Sequence, residues 1–94
     1  MDSQLQKQVK NIAFSVLPAD SKIGVFGSRI SGNPSKFSDV DLAILGKDRL
    51  PGHLLELVKE AMEESSIPYK VDVVDLNRVS GQFKNNVLKE IVWL

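Results

Sequence analysis

The sequence predicts a small α/β domain built on a mixed β-sheet, an expectation resting on three observations. Short apolar runs with alternating faces occur at residues 22–26, 39–45 and 69–76, each too brief for a helix and bounded by Gly, Pro or Asp. Longer stretches around them carry apolar residues three and four apart, the spacing of a helix with one buried stripe. One such stretch separates the second and third strands. A strand reached through a crossover helix lies parallel to the one it left, whereas the first two strands meet end to start and should run antiparallel.

Taken in order, Leu5, Val9, Ile12, Ala13 and Val16 form the stripe of a first helix over residues 3–17, stopped by Pro18. The first strand places Ile23 and Val25 on one face and Gly24 and Phe26 on the other, and it delivers Gly27-Ser28 at its end. Gly32, Asn33 and Pro34 keep any helix opened at Ser28 short. Val40, Leu42 and Ile44 are the inward residues of the second strand, and residues 46–52 form a loop. A helix over residues 53–65 buries Leu54, Leu55, Val58, Ala61 and Met62, with Glu and Lys on its wet side. After the third strand, Ser80 is positioned to cap a last helix carrying Phe83, Val87 and Ile91, and residues 91–94 are open between the end of that helix and a short edge strand. With no linker or repeat, residues 1–94 read as one domain.

Composition narrows the functional classes. Twelve basic residues balance twelve acidic ones, so no chain-wide positive field argues for nucleic-acid or membrane-surface binding. There is no cysteine for a disulfide framework or a thiolate zinc site. The first residues lack the apolar run of a secretory signal, and no stretch approaches the roughly 18 apolar residues of a membrane span. A soluble cytoplasmic protein is expected, and its modest size suggests that function involves a partner, in a homo- or hetero-oligomer.

The chemistry concentrates at residues 25–44. Asp39 and Asp41 alternate with Val40 and Leu42, so both carboxylates point one way while the apolar residues point into the core. Like charges so placed, with no Lys or Arg beside them, call for a cation, and Mg²⁺ prefers carboxylate oxygens together with substrate phosphates. The bland alternative is a pair of solvated strand-edge carboxylates. Gly27-Ser28 permits a tight turn whose free N–H groups suit a phosphate, which is compatible with an ordinary serine cap. Arg29 can pair with a phosphate or with a surface carboxylate. On the third strand, Asp72 and Asp75 are three apart and face opposite ways. The lone His53 opens a helix far from these residues and is assigned no role, and Tyr69 and Trp93 read as core or interface aromatics.

Gly27-Ser28-Arg29 followed by Ser38-Asp39-Val40-Asp41-Leu42-Ala43-Ile44 resembles the motif of the DNA polymerase β nucleotidyltransferase superfamily, and Lys70-Val71-Asp72-Val73-Val74-Asp75 resembles the strand bearing its third aspartate. The short chain is similar to the minimal nucleotidyltransferases, the MntA-like antitoxins of HEPN/MNT toxin–antitoxin systems, from about Ile23 onward. The resemblance implies a polymerase-β-like fold and selects Asp72 as the third carboxylate, leaving Asp75 as a strand-end cap or loop anchor. It implies that Asp39, Asp41 and Asp72 hold two Mg²⁺ ions, that Gly27, Ser28 and Arg29 bind the nucleotide, and that AMP passes from ATP to a tyrosine of a HEPN-domain toxin. Many relatives carry a second basic residue shortly after the arginine, where this chain has Ile30 and Ser31. A nucleotidyltransferase-like subunit that neutralises a helical partner by contact alone is the rival reading. On the metal-site reading, Leu42, Ile44, Val71 and Val73 should face packed helices, with Asp39, Asp41 and Asp72 opening onto the other face.

Overall fold

The computed structural model describes residues 3–27 and 40–94. Within them the chain runs α1 (Ser3–Phe14), β1 (Lys22–Phe26), β2 (Val40–Leu45), α2 (Gly52–Glu63), β3 (Val71–Asp75), α3 (Gly81–Glu90) and β4 (Val92–Trp93). The strands form one mixed sheet in the order β3-β2-β1-β4. β1 is antiparallel to both β2 and β4, whereas β2 and β3, joined through α2, are parallel. The expected mixed sheet is therefore present, and of the two alternatives for residues 91–94 the structure takes the edge strand.

Alternation divides the sheet into two cores. Ile23, Val25, Val40, Leu42, Ile44 and Val73 pack with Leu5, Val9 and Ala13 of α1 and Val58 and Met62 of α2. The apolar stripes of both helices are thus consumed on one face, as their spacing predicts. The opposite face was expected to be open to the aspartates, and here the structure differs. Phe26, Ala43, Leu76 and Val87 form a second buried cluster, with Phe83 and Ile91 packed against it. The cause lies in connectivity: β3 and β4 occupy opposite edges, and α3 must cross this face to join them, burying its own apolar side as it does so. The Phe26 and Phe83 rings meet edge to face at 6.1 Å.

The ends of elements are set by local hydrogen bonds. α1 stops at Phe14 rather than continuing to Leu17, because the Ser15 hydroxyl donates back to the Ile12 carbonyl at 2.6 Å and competes with the helical ladder. Leu17 nevertheless stays buried. Ser80 caps α3 as expected, its hydroxyl accepting from the Phe83 N–H at 3.2 Å. Tyr69 and Trp93 are not core residues: both are about two-fifths exposed, and Lys22 Nζ lies 5.9 Å from the Trp93 ring centre.

Candidate active site

A single rung of the sheet carries the candidate chemistry. Phe26 of β1 stands opposite Asp41 of β2, and Asp41 stands opposite Asp72 of β3. Residues that share a rung present their side chains to the same face, and neighbouring strands lie roughly 4.8 Å apart, so the two carboxylates are side by side. Asp41 comes from the middle of the sheet and is only 6% exposed, whereas Asp72 lies on the edge strand and is exposed. One carboxylate is thus held from beneath, and the other remains reachable from solvent. The parallel pairing that fixes this register is continued by the Val40 N–H, which donates to the Lys70 carbonyl at 3.1 Å.

Asp75, three residues beyond Asp72, faces the other way. It pairs with Ile44 in register and is 3% exposed. Its Oδ2 accepts the Leu50 N–H at 2.8 Å and its Oδ1 accepts the Asn77 N–H at 2.9 Å, with Arg78 Nε at 3.5 Å. These bonds tie the loop before α2 to the end of β3. Asp75 is a loop anchor on the face away from Asp41. His53 is exposed at the start of α2, as its position in the sequence suggests.

Gly27 ends β1 one residue past the rung. Its φ of 79° is a left-handed conformation that side chains with a Cβ adopt at a cost, so a glycine belongs here. Its N–H donates to Glu90 Oε1 at 3.3 Å, a contact 63 residues away in sequence. Glu90 is a functional candidate that the sequence reading missed. It lies at the end of a helix on its polar side, where a glutamate carries no local signal. Of the remaining candidates, Ser28, Arg29 and Asp39 lie outside the described residues.

Among the described residues, no group of three or more His, Cys, Asp or Glu side chains is placed to share an ion. The described donors are the two carboxylates of the rung, all-oxygen ligands lacking the sulfur or imidazole that a softer metal prefers. Such a pair suits Mg²⁺, which takes one or two protein carboxylates and completes its shell with water and phosphate oxygens.

This combination of an antiparallel strand pair ending in a left-handed glycine, a carboxylate rung and a parallel third strand reached through a helix defines a nucleotidyltransferase domain. Residues 6–94 match the family described as Polymerase beta, Nucleotidyltransferase, and the chain belongs to that family. It is similar to the probable protein adenylyltransferase MntA of Haemophilus influenzae, with 37% identity over 84 residues that cover 89% of this chain and 73% of that protein. The protein adenylyltransferase MntA of Thermococcus cleftensis is 30% identical over 73 residues, 78% of this chain and 73% of the relative. Among solved structures, a toxin–antitoxin complex with AMP-PNP superposes with a TM-score of 0.77 at 24% identity, covering 94% of this chain and 70% of that one. A complex of tri-AMPylated Shewanella oneidensis HEPN toxin with its MNT antitoxin has a TM-score of 0.64 at 24% identity, again covering 94% and 70%. At those identities the structural likeness speaks for the fold.

Proposed function

We propose that this protein is a cytoplasmic antitoxin that transfers AMP from ATP to a tyrosine hydroxyl of a HEPN-domain toxin. The observation that carries the reading is the Asp41–Asp72 rung, which aims two carboxylates at one place beside the turn at Gly27. Membership of the nucleotidyltransferase family and the adenylyltransferase names of the relatives support it.

In this reading Asp39, Asp41 and Asp72 hold two Mg²⁺ ions, and Gly27, Ser28 and Arg29 receive the triphosphate. When bound, the ions neutralise phosphate charge and make the acceptor hydroxyl more acidic. The chain's own residues position and shield. Buried Asp41 is a fixed ligand held by pairing on both sides, so little reorganisation is needed as charge develops. Exposed Asp72 meets the acceptor and takes the proton of its hydroxyl. The hydroxyl oxygen then forms a bond to the α-phosphorus, and the bond to pyrophosphate breaks. Gly27, whose own N–H is held by Glu90, has no side chain to keep the phosphates from lying close to the rung for in-line displacement.

The test is direct. Incubating the protein with its HEPN-domain toxin, ATP and Mg²⁺ should add the mass of at least one AMP group to a toxin tyrosine, and Asp39→Asn should abolish the addition. An unmodified toxin after incubation with folded wild-type protein would refute the proposal.

A further inference from the structure

Gly27 follows the last residue of β1 in a left-handed conformation, and glycine moves freely between the two halves of φ space, so a contact on its N–H bears on which half it keeps. β4, which pairs beside β1, is only two residues long: Gly24 faces Trp93 and Val25 faces Val92. Continuing that ladder would set Gly27 opposite Glu90. Glu90, however, is the last residue of α3, so its backbone belongs to the helix, and it is the side-chain Oε1 that accepts the Gly27 N–H at 3.3 Å. A carboxylate thus stands in for a backbone partner two residues beyond the last pair of the ladder.

The position of that carboxylate is built into the fold. A Cβ on Gly24 would lie 2.7 Å from Ile91 Cγ1 and Cδ1 and 3.0 Å from the Val92 carbonyl, so Ile91 seats closely on β1 because residue 24 is glycine. That contact fixes the residue next to Glu90. The helix leading to it is capped by Ser80 and packed through Val87 on the second core, the same face that bears Asp41 and Asp72. The end of α3 and the carboxylate rung therefore lie on one face of the sheet.

We propose that Glu90 is a positioning residue for the nucleotide: by holding the Gly27 N–H it keeps the left-handed glycine in place at the end of β1, one residue past the rung of Asp41 and Asp72. This role rests on the nucleotidyltransferase reading above. It calls for an acceptor at the end of the side chain and has no use for the charge, which lies near a polyanionic substrate and works against its binding.

Calorimetry of ATP binding to the 94-residue chain in Mg²⁺ separates these requirements. Glu90→Ala, and Glu90→Asp, which withdraws the acceptor by one methylene, should weaken ATP binding by about 3- to 10-fold. Glu90→Gln keeps an acceptor and should bind at least as tightly as wild type. Exchange of the Gly27 amide proton should quicken in the first two variants and stay slow in the third. Wild-type affinity in Glu90→Ala and Glu90→Asp, or equal loss in Glu90→Gln, would overturn the positioning role alone, provided that Asp41→Asn abolishes the Mg²⁺-dependent binding. Failure of the wild type to bind, or an unaffected Asp41→Asn, would remove the nucleotidyltransferase reading and this role with it.

Discussion

Asp72 and Asp75 stand three residues apart on one strand, and replacing each with alanine should have opposite consequences. At Asp75 the substitution removes two short charge-assisted bonds from backbone N–H groups and an ion pair with an Arg78 side chain that is 40% exposed. Each bond of that type contributes about 1.5–3 kcal/mol, and the ion pair adds less than about 1 kcal/mol because solvent screens it. Relief of the buried carboxylate's own desolvation offsets part of this, leaving a net loss of about 3 kcal/mol, a large share of the 5–15 kcal/mol typical of a domain. With a urea slope near 1.3 kcal/mol/M, the unfolding midpoint should fall by roughly 2 M. Asp72→Ala changes an exposed side chain and should stay within about 0.5 kcal/mol of wild type, yet lose AMP transfer. Urea titration followed by tryptophan fluorescence of Trp93 measures both. A stable Asp75→Ala would refute the anchoring argument, and a strongly destabilised Asp72→Ala would make that carboxylate structural.

Three further outcomes follow from the geometry. Gly24→Ala should destabilise by about 1–3 kcal/mol in thermal melts, because the added Cβ meets Ile91 and the Val92 carbonyl, and ATP affinity should fall as Glu90 is displaced. Ser80→Ala should cost about 1 kcal/mol through the lost cap on α3, with Ser80→Asp restoring it. Chelating Mg²⁺ should abolish ATP binding measured by calorimetry while leaving the melting curve of the nucleotide-free protein unchanged, since the fold is held by two apolar cores.

Much of this architecture is legible in the sequence because alternation and spacing are local properties. Val40, Leu42 and Ile44 must share a face, and the stripe of α2 between two strands dictates a parallel return. The choice of Asp72 over Asp75 required the family resemblance, because both are aspartates on a strand and periodicity says only that they oppose. The coverage of the aspartate face by α3 was not legible: it follows from β3 and β4 taking opposite edges, which depends on the whole sheet order. Glu90 was hidden for the same reason. Its partner is 63 residues away, and the register linking them exists only once β4 has paired with β1. Helix ends shifted by two or three residues where a serine hydroxyl competed for a carbonyl, as at Ser15.

Whether protection comes from AMP transfer or from contact is decided by one measurement, growth of cells that express the HEPN-domain toxin together with Asp41→Asn. The exchange is nearly isosteric and removes one charge from a pair that repels, so the variant should fold as well as wild type, which circular dichroism of the purified protein checks. Catalysis predicts that wild type restores growth and that Asp41→Asn, folded and present at equal level, does not, with the toxin tyrosine unmodified. Full rescue by that variant, with no AMP on the toxin, would contradict transfer as the mechanism.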